Sequence, residues 1–378
     1  MERAEKVIRS LLEIAGVEVN GNSDADIQVK NKEFYREVLR SGSLGLGESY
    51  MAGWWDAIKL DEFFHSILRA CLDEKAKNWK LTPHILAAKM INAGRKSKAF
   101  EIGKKHYDIG NNLFGKMLDK RMVYSCGYWK KADNLDDAQE AKLELICQKL
   151  NLKPGMKVLD IGCGWGSFCK YAAEKYDVEV VGITVSEKQA DLAKEFCKDL
   201  NVKILLQDYR SLNAEILLGE RKTFDRIVSV GMFEHVGSKN YTTYMKTVHR
   251  VLSNDGVFLL HTIGRNKSVV ITDRWIHKYI FPNGMIPSIK QIGESIEELL
   301  VMEDWHNFGA DYDKTLMAWY QNFEKAWDSL KSSYDETFYR MWKYYLLSCA
   351  GAFRARSNQL WQIVLSKNGV PGGYLSIR

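Results

Sequence analysis

The sequence predicts an α/β protein: a doubly wound, Rossmann-like parallel sheet preceded by a smaller, helix-rich amino-terminal domain. Three observations carry this. From Lys153 onward, short apolar runs alternate with helical stretches, the pattern of consecutive βαβ units. The nine residues Val158-Leu159-Asp160-Ile161-Gly162-Cys163-Gly164-Trp165-Gly166 read as a buried strand that ends in an acid and runs through a glycine turn into a helix. A chain of 378 residues is also long enough for two cores rather than one.

The elements follow in order. Residues 4–15 form an amphipathic helix and 26–30 a short strand. Glycines at 42, 45, 47 and 53 punctuate the stretch 41–55. Thr82-Pro83 is a cap and first-turn pair for a helix over 84–92. The domain boundary falls near Gly94–Lys98, giving domains 1–95 and 96–378. Strands are expected at 157–161, 179–184, 203–207, 224–230 and 257–263, with helices over 167–175, 187–199 and 241–252 and a turn at Asp255-Gly256. Two more strand-like runs, 301–308 and 360–365, flank aromatic-rich helices over 316–329 and 338–347. Those helices are expected to wall the strand ends.

Composition excludes several classes. Hydrophobic residues make up 46% and aromatic residues 12% of the chain, so it folds around a core; a net charge of +6 is mild, so local clustering matters more, and no nucleic-acid partner is expected. The seven cysteines include no C-x-x-C pair and join no histidine cluster, which argues for a reducing compartment and against a disulfide framework or a metal site. No run of about 18 apolar residues exists to span a membrane. The first 20 residues carry four glutamates, unlike a signal peptide. Between residues 75 and 105 nine lysines and arginines face Glu101 alone. Such a stretch is either a solvated helix face or a surface for anionic lipid headgroups, at roughly 1 kcal/mol per cation.

Ligands in such sheets sit at the carboxyl ends of the strands. Candidates there are Thr184, Ser186 and Gln189 after the second strand, in place of the carboxylate that usually holds a ribose. After the third come Asp208 and Tyr209, suited to an adenine edge and ring; the alternative for Asp208 is a helix cap. Glu234 and His261 end the fourth and fifth strands and point at one pocket. Upstream, 105–111 and 124–129 are too aromatic and polar for plain linker. They read as a cap over a cofactor or as an aromatic staple.

The glycine spacing G-x-G-x-G departs from the dinucleotide fingerprint, which places its third glycine where Ser167 stands. It resembles motif I of the class I S-adenosylmethionine (AdoMet) methyltransferases. Together HYDIGN, YSCGYW, LDIGCGWG, GITVS, FEHVG, LLHTIG, FPNG, MEDWHNFGADYD and SCAGAFRAR resemble the cyclopropane-fatty-acyl-phospholipid synthases over nearly the whole chain. The amino-terminal region is included, which the shorter mycolic acid cyclopropane synthases lack. The resemblance implies a class I fold with helical lipid-binding insertions, AdoMet as donor, a bicarbonate ion as base and a homodimer. It also implies an unsaturated phospholipid of the bilayer as acceptor and a cytoplasmic enzyme held peripherally on the inner membrane surface.

Residue by residue, it places bicarbonate at Cys126, Glu234, His261, Ile263 and Tyr312, with Cys126 and Ile263 contributing backbone groups. It places AdoMet at Tyr124, Ser125, Asp160, Gly162, Gly164, Trp165, Gly166, Thr184, Ser186, Gln189, Asp208 and Tyr209. Cys349 matches a catalytic candidate of the family. An alkene is itself the nucleophile, so a buried structural cysteine is the better reading of Cys349. Methyl transfer to an alkene leaves a cation on the chain, and loss of a proton from the new methyl closes the ring. The site must therefore exclude water and present a base. Two other functions fit parts of the sequence: an acyl C-methyltransferase that stops at a methyl branch, and a lipid-binding module without catalysis.

Overall fold

The computed structural model describes residues 2–72, 110–219, 222–269 and 272–378. The helix expected over 84–92, the basic stretch 75–105, the Gly94–Lys98 boundary and residues 106–109 of the HYDIGN motif lie outside them. The chain divides into two compact units. One takes in Met1–Ile91, Val270–Pro282 and Gly309–Gln359, the other Asn92–Val269, Asn283–Phe308 and Leu360–Arg378.

The first unit is mostly helical. Helix Glu2–Ile14 leads to a small antiparallel pair, β1 (Ile27–Val29) and β2 (Trp55–Ala57). Between them the glycine-rich stretch is a helix, Ser43–Met51, rather than a punctuated loop. Close packing explains the glycines: a Cβ on Gly47 would overlap the indole of Trp275. Trp55, fully buried, is surrounded by Phe34, Tyr50 and Phe63 with ring centroids 5.2–5.8 Å away. The aromatic-rich helices are Ala310–Leu330 and Glu336–Arg354. Arg340 on the second donates to the carbonyls of Tyr50 (2.6 Å) and Trp55 (3.0 Å) and to Asp56 (3.0 Å). Arg354 meets Asp61, Glu62 and Asp313 at 2.7–2.9 Å.

The second unit holds the sheet. Its strands are β3 (Lys157–Ile161), β4 (Glu179–Thr184), β5 (Val202–Leu206), β6 (Phe224–Val230), β7 (Leu252–Arg265), β8 (Val301–Asn307) and β9 (Asn358–Ser366). They run in the order β5-β4-β3-β6-β7-β9-β8. β3 pairs in parallel with both β4 and β6, β4 with β5, and β6 with β7, whereas β8 and β9 are antiparallel. The βαβ reading of the sequence therefore holds through the fifth expected strand. That strand begins five residues earlier than predicted. The pairing jumps from Phe224–Leu252 to Arg226–Val257, so residues 253–256, including the expected turn, bulge out of a continuous strand. Helix Leu135–Lys149 was not foreseen. Asn134 caps it, accepting from the Asp137 amide at 3.0 Å.

Candidate active site

A pocket opens at the carboxyl ends of β3, β4, β5 and β6, where a parallel sheet of this order binds its ligand. Every residue assigned from the sequence to AdoMet lines it except Gly166. Gly166 stands one step back in the left-handed conformation, at the start of helix Ser167–Tyr176. Gly162 and Gly164 also have positive φ, and they differ in what faces them. A Cβ on Gly162 would come within 2.7 Å of Met232, whereas on Gly164 it would meet nothing within 4 Å. Gly164 thus opens onto space that a ligand can fill. Beside it Asp160 is buried with Oδ2 3.4 Å from the Cys169 sulfur and Oδ1 without a partner. Burial pushes the Asp160 carboxyl up to about 7. An orphaned acid at the head of an open glycine cradle suits the ammonium of an amino acid moiety, and the residues present fit AdoMet.

The remaining walls are more self-contained. Thr184 donates to Gln189 Oε1 (3.1 Å), and Ser186 caps helix Glu187–Phe196. Asp208 caps the short turn Tyr209–Ser211, and both its oxygens accept from the Arg210 side chain, at 2.8 and 2.7 Å. The cap reading of Asp208 is therefore present in the fold, and its carboxylate reaches the pocket already paired. Tyr209 packs edge-on against Tyr244, centroids 5.0 Å apart, with its hydroxyl buried and unpartnered. Trp165 donates to Asn111 (3.3 Å) and packs on Phe114, which also touches the Tyr124 ring at 5.1 Å between centroids. Asn111 is the last residue of the HYDIGN motif, so that end of the motif is tied to Trp165 of the glycine turn.

Glu234 and His261 differ from the expected placement: Glu234 stands in the short turn Phe233–His235 past the end of β6, and His261 lies within β7, which continues to Arg265, level with Val230 of β6. Neither lines the pocket at the glycine turn. The Gly231 amide donates to the His261 carbonyl (2.9 Å), tying the end of β6 to β7. Glu234 Oε1 accepts from the Ile263 amide at 2.7 Å, and Oε2 is buried without a partner. The backbone donor expected of Ile263 is thus already engaged by Glu234. Burial raises the Glu234 carboxyl to about 7. His261 has Nδ1 3.3 Å from the Gln362 amide nitrogen and Nε2 buried without a partner. Burial, reinforced by Lys142, Lys149 and His306, holds its imidazole neutral, well below the usual range. Cys126 is buried, its thiol donating to the Gly127 carbonyl at 3.1 Å.

Tyr312 and Cys349 belong to the first unit. Tyr312 is buried, its ring 4.5 Å from that of Phe353. Cys349 is half-buried rather than buried, and desolvation, with Asp273 nearby, pushes its thiol up to about 12. At neutral pH it is a thiol, not the thiolate a nucleophile requires.

Three residues that bear on the site escaped the sequence reading. Gln139 and Lys142 come from the unforeseen helix. Gln139 donates to the Ser125 carbonyl (2.7 Å) and Lys142 to the Ser125 hydroxyl (2.8 Å). Gln362 sits in the middle of β9, where every neighbour from Leu360 to Leu365 is apolar and buried. A lone amide in such a run was the signal that could have found it.

Sheet order, glycine turn and pocket define a class I AdoMet-dependent methyltransferase. Residues 94–363 match the family model described as mycolic acid cyclopropane synthetase. The chain is 56% identical over 369 residues to the cyclopropane-fatty-acyl-phospholipid synthase of Escherichia coli (strain K12), covering 97% of this chain and 94% of that one. It is 36% identical over 281 residues to cyclopropane mycolic acid synthase 3 of Mycobacterium tuberculosis (strain ATCC 25618 / H37Rv), covering 69% and 95%. A solved structure of cyclopropane mycolic acid synthase CmaA1, complexed with SAH and CTAB, aligns at a TM-score of 0.65 and 33% identity over 71% of this chain and 98% of that one. The chain belongs to the mycolic acid cyclopropane synthetase family.

Proposed function

We propose that this protein transfers a methylene group from AdoMet to the cis double bond of an unsaturated acyl chain in a membrane phospholipid, leaving a cyclopropane ring. The observation that carries the reading is Glu234: a buried carboxylate in the turn after β6 with one oxygen held and the other unengaged. Methyl transfer leaves a cation on the acyl chain, and closing the ring must then remove a proton from the new methyl group, which needs a base. The identity to the Escherichia coli synthase supports the same acceptor class.

When bound, AdoMet supplies an electrophilic methyl group on its sulfonium. The chain does the rest. The open side of Gly164, with Asp160 behind it, receives the amino acid moiety, and Tyr124, Trp165 and Phe114 cover the turn against water. Glu234, pushed up to about 7, exchanges a proton at Oε2 near neutral pH, where an ordinary carboxylate would be too weak a base. His261, held neutral, offers Nε2 to a second small group. Bicarbonate is the group that the family resemblance implies, with Cys126, Glu234, His261, Ile263 and Tyr312 as its residues. The raised Glu234 carboxyl supports it, because an anion beside a carboxyl requires a shared proton.

The enzyme acts on the bilayer surface as a homodimer, cytoplasmic and peripherally bound, with the 75–105 segment meeting anionic headgroups. No helix among the described residues is long and apolar enough to cross a membrane. Vesicle sedimentation that weakens with salt, together with a solution mass of two chains, checks this part. The central test is incubation with unsaturated phospholipid vesicles and AdoMet carrying a labelled methyl, followed by mass spectrometry. Acyl chains that gain one labelled methylene and resist ozonolysis support the reading. The same mass with a surviving double bond indicates a methyl-branched alkene formed by proton loss from the chain, and absence of label overturns it.

A further inference from the structure

The helix Leu135–Lys149 buries two lysines, and they are treated differently by the fold. Lys149 Nζ lies 3.0 Å from His306 Nδ1 and 4.0 Å from Asp304. Lys142 is 1% exposed, and its ammonium makes one hydrogen bond, to the Ser125 hydroxyl at 2.8 Å. Among the described residues no carboxylate stands within ion-pair distance of it; Asp119 and Asp160 favour its charge only from beyond that distance. A buried ammonium with a neutral contact partner is expensive, because distant opposite charges offset its desolvation only in part. Burial pulls Lys142 down to about 8, and Lys149 to about 7.

Lys142 and Asp160 both line the pocket at the glycine turn. Their charges interact, yet they form no ion pair. Asp160 is 2% exposed with Oδ1 orphaned. One pocket thus presents an incompletely neutralised cation and an incompletely neutralised anion, held apart. That arrangement complements a zwitterion, with its ammonium toward Asp160 and its carboxylate toward Lys142. Ser125 fits the same geometry. Its hydroxyl accepts from Lys142, which leaves its own proton to donate, and its carbonyl is fixed by Gln139 at 2.7 Å.

We propose that Lys142, together with Ser125, binds the α-carboxylate of the methionine moiety of AdoMet. This rests on the reading of the pocket as the AdoMet site. It assigns the buried lysine a partner that arrives with the ligand, and it makes recognition of the whole amino acid head, not only the nucleoside, a property of this helix.

The test is a calorimetric comparison of two ligands on the full chain: S-adenosylhomocysteine, and its analogue lacking only the carboxylate. Wild-type protein binds the complete ligand about 10- to 100-fold more tightly, the range for a charge-assisted contact. In Lys142→Met that preference falls to about threefold or less, because affinity for S-adenosylhomocysteine drops while affinity for the analogue stays. Equal weakening of both ligands, or an unchanged preference, overturns the proposal. If Lys142→Met does not fold, Ser125→Ala is read by the same ratio: it reduces the preference if the proposal holds, and an intact preference overturns it. Wild-type protein that binds neither ligand removes the AdoMet reading itself, a result distinct from failure of the Lys142 assignment.

Discussion

The glycine turn after β3 and the side chains of Glu234 and His261, after β6 and within β7, belong to neighbouring parts of one sheet, but they are built in opposite ways. The turn comes from one contiguous stretch, 158–166, and its shape is a backbone property fixed by positive φ at three glycines. The proposed proton site draws on the turn after β6, on β7 and on β9 through side chains, each holding one atom and leaving one open: Glu234 Oε1 is bound and Oε2 free, His261 Nδ1 is bound and Nε2 free. A cradle needs conformation, whereas a proton site needs desolvated atoms of controlled basicity. The first tolerates side-chain change and fails on a Cβ; the second keeps its shape and fails on a single atom.

The largest effect is expected at the second region. Glu234→Gln should lower turnover by roughly 10²–10⁴-fold and leave S-adenosylhomocysteine affinity within about twofold, measured by single-turnover label transfer and calorimetry. Comparable losses of both would merge the two regions into one. The pH dependence sharpens the same point. As a base Glu234 must be ionised, so turnover should climb with pH through about 7, and the rise should vanish in Glu234→Gln. Stability moves the other way. A carboxyl raised from 4.5 to about 7 by folding contributes stability below its unfolded value, and that stability is lost as pH rises through 7. Above this pH, Glu234→Gln should therefore unfold at higher denaturant than wild type, by up to ~3 kcal/mol.

Next in size is the turn. Gly164→Val should weaken S-adenosylhomocysteine binding by at least about 100-fold, because the side chain occupies the space the ligand requires. Its cost in stability should stay near the roughly 1–2 kcal/mol of an L-residue in the left-handed region, since a Cβ there meets no protein atom. Full unfolding instead would show that the turn is as tightly packed as the core. A smaller change is expected from Gln362→Leu, which strips His261 Nδ1 of its partner: about tenfold in turnover, with cofactor affinity intact and a stability loss of ~1–3 kcal/mol. The smallest is Cys349→Ser, which should stay within about twofold of wild type in turnover. A dead but folded Cys349→Ser that binds S-adenosylhomocysteine would bring the thiol back into the chemistry.

The same contrast explains what the sequence could disclose. The turn was legible because its chemistry is written in adjacent residues, with Asp160 as the last acid before three alternate glycines. Glu234 and His261 were legible only to within a few residues: the βαβ alternation places the strands, but β7 runs on to Arg265 past His261, and Glu234 falls in the turn after β6. Lys142 and Gln362 were not. Both are polar residues inside apolar patterns, and their importance depends on what lies opposite them in space. Lys142 at a helix position reads as a solvated charge until its neighbours are known. The Ser43–Met51 helix was hidden for a related reason. Its glycines lower helix propensity, and the compensating close packing of Gly47 on Trp275 comes from a segment more than 200 residues away.

The discontinuity of the first unit bears on how the chain is made. Arg340 fastens itself to the carbonyls of Tyr50 and Trp55, and Arg354 to Asp61 and Glu62. None of these bonds can form until a ribosome has delivered nearly the whole polypeptide. The amino-terminal helices emerge first and must wait, with Tyr50 and Phe64 unable to complete their packing on Tyr344, while the βαβ series is synthesised behind them. At ~5–20 residues per second, the interval between Trp55 and Arg354 lasts on the order of 15–60 s. Over that time the nascent chain presents an aromatic surface to chaperones, and truncation after β8 would leave the first 72 residues permanently without the helices Ala310–Leu330 and Glu336–Arg354.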